Sequence, residues 1–483
     1  MNEASALLDP TIGWILLSVL SVIWVGLGVY WGRKAANLEG FMLAGRNVGL
    51  ALGTATAVAT WITSNTTMLA PQFALQLGVW GMLAYCTASF GLFLFAPMAE
   101  RIRALMPNGF TSAEFIRLRY GNVAWGIFLV ISLFYGITWM ISMGMAGGIL
   151  MEALAGIPYV YGMTAILLVC VLYTLFGGLF AVIGTDFIQS WIILIGVCVV
   201  AIAVLNTVSI DEIYTNLERN RPALLDVLFP AALMAIFNNM LFGLGEIFHS
   251  NVWWSRAFAM RKGVGRKAYG LAGLVWLPIP IVAGFLGLAA PALGINVARP
   301  DMVGPVVAGT VLGEVGAVLV FVIVFASLAS SIDSLLAATS DLVLNDFVKG
   351  MIARDASDAQ LRRLGTAVIV SIGLVTWAFC APRIGTLASV LFFAGPLVGS
   401  AIWPIIAGLY WQHTNRHGAV AAMLLGSAGG LVAYFTLGWY TATLIGTAIS
   451  MLVVVSTSRF APQTFEWSRL DAGPHGGHTE VGR

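Results

Sequence analysis

Charge is what this sequence has least of. Only 10% of its 483 residues are Asp, Glu, Lys or Arg, against about 25% in a soluble domain. Long apolar runs recur from end to end, 59% of residues being hydrophobic at a mean hydropathy of +0.91. The shortage of charge therefore reads as a polytopic helical membrane protein. The runs are continuous rather than alternating, which excludes a transmembrane β-barrel. Cysteine is scarce as well: Cys86, Cys170, Cys198 and Cys380 lie in apolar segments without CxxC spacing, which excludes a disulfide framework or a thiolate metal site. His413 and His417 stand four apart in an interfacial loop, and they and His475 and His478 lack further ligands, so no zinc site is expected. No HExxH, GxSxG or paired catalytic set sits at helical spacing, so nothing points to an enzyme. The net charge of +2 comes without a basic patch among aromatics, and no nucleic-acid partner is expected. The first apolar segment has an acidic leader and no small-residue cleavage site after it, so it should remain as a helix rather than be removed.

Hydropathy divides the chain into thirteen spans, roughly 11–31, 48–76, 79–105, 123–154, 158–177, 180–207, 227–252, 268–293, 311–348, 362–381, 386–411, 417–437 and 439–457. With the N-terminus outside, all of the 24 basic residues except Arg219, Arg221, Arg299 and Arg383 fall in inside loops or the tail, including a block from Arg256 to Lys267. The positive-inside rule thus predicts a plasma (inner) membrane protein with an external N-terminus and a cytoplasmic C-terminus. The polar, Pro- and Gly-containing residues 458–483 read as a disordered tail.

The chain is organised around Phe325–Asp346, the second half of the ninth span. At 100° per residue Ser327, Ser330, Ser331, Ser334 and Asp341 share one face within about 60°, and Asp333 flanks it. Hydroxyls beside carboxylates are costly in hydrocarbon and must face protein or a hydrated cavity. Hydroxyl and carbonyl oxygens are what a hard cation needs to replace its water shell, whereas close packing of small residues does not account for the aspartates. Two other spans are interrupted: the second by Trp61–Thr67 before Pro71, the seventh by Asn238-Asn239 and Gly243-Leu244-Gly245-Glu246. Broken helices at membrane depth line cavities. Their five-span separation predicts two inverted five-helix repeats, 48–207 and 208–411, preceded by a helix and loop in 1–47 and followed by two helices in 412–457.

Three stretches carry a family resemblance: Gly177-Gly178 through Thr185-Asp186 to Gln189, the serine-rich helix, and Ala59-Thr60-Trp61-Ile62. Over roughly residues 40–420 the chain resembles the sodium:solute symporter family, which implies a LeuT-type all-α core and secondary active transport. Phe41–Arg46, Glu114–Gly121 and Gly245–Ala257 are most similar to the urea active transporter branch; an acid at Glu246 departs from that branch. The resemblance implies a coupling Na+ held by the carbonyls of Ala59, Ile62 and Ser327 and the hydroxyls of Ser330 and Ser331. Some relatives hold a second Na+, which would fall here on Asp186 with Ser330, Asp333 and Ser334.

A small polar solute, urea-like, is expected between the broken helices. Ser64, Asn65, Thr66 and Thr67 would supply polar groups on one side and Asn239, Gly243 and Glu246 on the other, with Tyr85, Trp139 and Phe392 as walls or gates. Open alternatives are H+ coupling through Asp186, Asp333 or Glu246, an amino-acid or monocarboxylate substrate, a channel, and a solute sensor that does not pump.

Overall fold

The structure is a computed structural model in which residues 7–33, 43–226, 228–352 and 357–471 are described. Among them the regular elements are helices, joined by one isolated bridge between Val48 and Met260. Helix α1, Pro10–Gly32, starts under the Asp9 carboxylate, which accepts from the Thr11 amide at 2.8 Å, with Pro10 in its first turn. Helix α2, Leu50–Trp61, stops where Ile62 and Thr63 take ψ values of 82° and 168°. Helix α3, Ser64–Cys86, restarts at once. At Gly78, φ +71°, the chain doubles back, and a Cβ there would lie 1.9 Å from the Leu224 carbonyl oxygen, so only glycine fits. Helices α4, Ser89–Leu105, α5, Ser112–Tyr120, and α6, Asn122–Ala155, follow.

The helical stretch α7, Tyr159–Thr207, contains a reversal. Tyr173 lies against Gly28 and Gly184 against Trp31, eleven residues in α7 for three in α1. At about 1.5 Å per residue a straight helix cannot do this. Its first limb reaches the Ala329 carbonyl through Tyr173, and its second returns to Ile323 at Gly196. Then come α8, Ile210–Asn220, and α9, Pro230–His249. The second break lies later than the sequence suggested. Helix α9 runs unbroken through Gly243 and Gly245, because both glycines serve close packing: a Cβ would meet Ala88 Cα or the Val398 carbonyl at 2.7 Å. The helix ends at His249, and extended Ser250 caps α10, Asn251–Ala259.

Helices α11, Gly265–Trp276, and α12, Pro278–Ala292, precede α13, Val303–Asp341, which continues into a wider π-helical segment, Leu342–Ile352. The remainder are α14, Asp358–Cys380, α15, Leu387–Phe393, α16, Gly395–Tyr410, α17, Arg416–Thr436, and α18, Trp439–Phe460. Eleven described segments are long and apolar enough to cross a membrane. The apolar stretch Tyr159–Leu175 adds a twelfth, and the turn at Gly78 splits Ser64–Leu105 into two. Each of the thirteen expected spans therefore has a counterpart.

Burial is inverted relative to a soluble protein. Val22, Phe435 and Phe460 are more than 70% exposed, as lipid-facing residues would be, while Asp186, Asp333, Glu246 and Arg256 are at most 3% exposed. Arg46, Arg101, Arg103 and Arg119 donate to carbonyls of Pro107, Asn108, Gly408, Leu409 and Trp411 at one pole, here the basic end. At that pole Glu114 accepts from the Phe110 amide, and burial pushes its carboxyl above the usual range. Residues 461–471, expected to open a disordered tail, are folded onto this end. Phe465 and Leu470 are buried, Arg119 stacks on Phe465 and Arg101 on Trp467, and the Phe465 amide donates to the Gln412 carbonyl. Residues 472–483 of the expected tail lie outside the described residues.

Candidate ion and solute sites

A helix that stops inside a protein leaves its last carbonyls without partners. At the end of α2 every one is answered. Val58 accepts from the Ile62 amide, and Ala59 from the Ser330 hydroxyl at 3.1 Å. Thr60 accepts from Ser331 at 3.2 Å, and Trp61 from Thr66 and the Trp276 indole. Ser330 and Ser331 also reach the Ser327 carbonyl, at 3.1 and 2.9 Å. The structure therefore brings Ala59, Ser327, Ser330 and Ser331 into one buried cluster of carbonyl and hydroxyl oxygens at the negative end of a half-helix. Ile62 carries the break itself, and its carbonyl is not among the acceptors of these hydroxyls. Neutral oxygens in this number fit Na+ better than a divalent ion.

One turn further along α13 the chemistry changes. Asp186, fully buried, accepts from Thr56 at 2.6 Å and Thr60 at 3.4 Å through Oδ2, and the same oxygen faces the Arg256 guanidinium at 3.3 Å. Arg256 donates from Nε to Thr56 at 3.0 Å, from Nη1 to the Val252 carbonyl at 3.0 Å, and from Nη2 to Thr60 and Ser334, both at 2.7 Å. The Thr60 and Ser334 hydroxyls are 3.2 Å apart. The cation beside Asp186 and Ser334 in this structure is thus a side chain, from a residue the sequence reading had placed in a basic loop. Asp333 is also buried, and neither of its carboxylate oxygens has a hydrogen-bond partner among the described residues.

Beyond the break, Trp61, Thr63, Tyr85, Ala88, Trp139, Asn239, Phe242, Glu246, Trp276 and Leu391 surround a cavity. Its free space, about 20 Å³, is enough for about one water molecule, so a solute enters only as the walls move apart. Of the expected solute residues, Tyr85, Trp139, Asn239 and Glu246 line it. Asn239 spends its amide on the Ala84 and Tyr85 carbonyls, at 2.8 and 3.2 Å. Glu246 Oε1 has no hydrogen-bond partner among the described residues. The others serve the break or the packing. Thr66 forms a reciprocal capping box with Thr63, Thr67 donates to the Ser64 carbonyl, and Asn65 accepts from Ser142 at 3.0 Å. Gly243 packs on Ala88, and Phe392 lies in an aromatic stack with Phe73, Phe242 and Trp439 on the side away from the basic end.

Trp61, Trp276 and Phe242 were missed as lining residues. His249, three residues after Glu246, stands behind them with its ring edge-on to Tyr135 at 4.7 Å. The aromatic walls come from separate helices, so no local pattern announces them. Among the described residues no group of three or more His, Cys, Asp and Glu is arranged to hold a metal ion.

The model of the sodium:solute symporter family matches residues 41–426. The urea-proton symporter DUR3 of Oryza sativa subsp. japonica is 28% identical across 89% of this chain and 67% of its own length. The urea active transporter of Saccharomyces cerevisiae is 22% identical across 97% and 72%. The osmoregulated proline transporter OpuE of Bacillus subtilis is 27% identical across 86% and 88%. Among solved structures, a Na+-coupled sialic acid symporter in its substrate-bound outward-open state superposes with a TM-score of 0.77, covering 94% of this chain and 99% of that one at 18% identity. Mhp1, a nucleobase-cation-symport-1 transporter, gives 0.54 over 90% and 97% at 15% identity. These likenesses establish the LeuT-type fold that the family resemblance implied. The chain is a multi-pass membrane transporter, not an enzyme, and it belongs to the sodium:solute symporter family.

Proposed function

We propose that this protein couples the inward movement of Na+ to uptake of a small polar, urea-like solute, by alternating access across the plasma membrane. The observation that carries the reading is the meeting of Ala59, Ser327, Ser330 and Ser331 at the end of α2, one break away from the solute cavity. An ion held there ties the first broken helix to α13 and fixes the break that shapes the cavity. Solute closes the aromatic stack of Phe73, Phe392 and Trp439 above it; opening at the basic end then releases both. In this reading the basic end is cytoplasmic and the N-terminus external. Urea suits the cavity because it offers N–H donors to Glu246 and a carbonyl for a donor such as the Thr63 hydroxyl. The urea transporters of rice and yeast among its relatives point the same way.

The test is uptake of labelled urea, proline and a monocarboxylate into proteoliposomes under an imposed Na+ gradient. Urea uptake should need the gradient and collapse with a Na+ ionophore. Urea uptake that follows a pH gradient and ignores Na+ would overturn Na+ coupling and favour the second reading, H+ symport. One observation supports that reading: Glu246 places at the cavity a carboxylate oxygen with no hydrogen-bond partner among the described residues.

A further inference from the structure

We infer that Arg256 is a tethered cation that permanently fills what would otherwise be a second cation site, so that a single mobile cation accompanies the solute. Arginine brings a planar guanidinium, the usual cationic partner of a buried carboxylate. It sits 1% exposed among the Thr56, Thr60 and Ser334 hydroxyls and the Asp186 carboxylate, oxygens contributed by α2, α13 and α7. Take the guanidinium away and what remains is a carboxylate with three hydroxyls within a hydrogen bond of the space it held. That is the ligand set of a hard monovalent cation. Left empty, this set would bury an uncompensated Asp186, an arrangement that costs far more than a paired one. The site therefore demands a cation or a proton, and the chain supplies a cation it cannot release.

The position adds a second consequence. Arg256 stands on α10, immediately past the second break, and its bonds to Thr56 and Thr60 bind it to α2, immediately before the first. The backbone repeats the tie at the same pole, the Val48 amide donating to Ala259 and the Arg261 amide to Val48. One guanidinium thus joins the basic-end halves of both broken helices to α7 and α13, across the route by which cavity contents would leave at that end.

The inference rests on cation coupling only where transport is measured; ion binding tests it without any solute. Purified full-length protein is titrated with ²²Na+ in a scintillation proximity assay. Wild type should bind one ion per chain and Arg256→Ser two, and Arg256→Ser/Asp186→Asn should return to one. Two ions on the wild type, or no gain in a folded Arg256→Ser protein, overturns the proposal. Should the wild type bind none while Arg256→Ser binds one, the tethered cation stands and the neutral serine site fails. An Arg256→Ser protein too unstable to titrate is read by its melting temperature instead. Replacing N-methylglucamine by Na+ at constant ionic strength should rescue it by more than it raises wild type, and equal responses overturn the proposal.

Discussion

Two oxygen clusters lie a turn apart between α2 and α13, and they differ in whether they can stand without a guest. At Ser330 and Ser331 the ligands are neutral. The hydroxyls that would hold an ion already donate to the Ala59, Thr60 and Ser327 carbonyls, so an ion can depart and leave every group satisfied. At Asp186 the ligand set carries a full charge that hydroxyls cannot neutralise, and Arg256 is bound to it through the fold. A coupling ion must be released on every cycle. The first arrangement permits release and the second forbids it, which suggests why a transporter would place them side by side and give them different chemistry.

The comparison breaks most violently at Asp186. Asp186→Asn leaves a buried guanidinium facing neutral oxygens, and losing one partner of a buried pair costs about 3–5 kcal/mol. We expect a large fall in melting temperature and yield that no concentration of Na+ repairs, since the stranded charge is positive. Pairing it with Arg256→Gln removes both charges and should restore most of the stability. A single Asp186→Asn variant as stable as wild type would mean that the Arg256 contact carries no weight in the folded protein.

The neutral cluster should respond in the opposite sense, through function rather than stability. Ser330→Ala with Ser331→Ala removes two ligands and leaves the carbonyls of Ala59 and Ser327 in place. Apparent Na+ affinity for uptake should fall at least tenfold, about 1.4 kcal/mol, with thermal stability in the absence of Na+ nearly unchanged. Uptake with an unaltered Na+ dependence would move the ion elsewhere.

How much of this the sequence disclosed depends on whether the signal was local. The serine face was legible because five polar residues repeat at helical spacing in one continuous apolar run. The first break was legible for a related reason, though not the direction its side chains take. Ser64, Asn65, Thr66 and Thr67 were expected to face solute; in the structure none of them lines the cavity, and the Thr66 and Thr67 hydroxyls bond to their own backbone at the start of α3. Gly243 and Gly245 looked like a second break and proved to be contact points for neighbouring backbone. Arg256 was the costliest misreading. Counting basic residues along a chain treats each one past an apolar run as solvated. A clue stood in its neighbours, for Asn251–Ala259 reads NVWWSRAFA, in which the arginine is the one charged residue of a mostly apolar, tryptophan-bearing segment, and that segment is buried. Its partner Asp186, 70 residues away, could not be paired with it without the fold.

The smallest expected effect on Na+ affinity asks whether the two clusters are separable at all, and Thr60 belongs to both. Its carbonyl accepts from Ser331 in the neutral cluster, while its hydroxyl accepts from Arg256 and lies beside Ser334 in the charged one. Thr60→Val keeps the carbonyl and the shape of the side chain and deletes the hydroxyl alone. Arg256 Nη2 retains Ser334 and Asp186, so the main loss is its hydrogen bond to Thr60, about 1.5–3 kcal/mol before relaxation, together with the longer bond from Thr60 to Asp186. We therefore expect a lowered melting temperature, a smaller loss than in Asp186→Asn, and an apparent Na+ affinity within twofold of wild type. A Na+ affinity that falls together with stability would show that the guanidinium holds the α2 carbonyls in place for the ion. The tethered and the mobile cation would then act as one coupled site, not as neighbours.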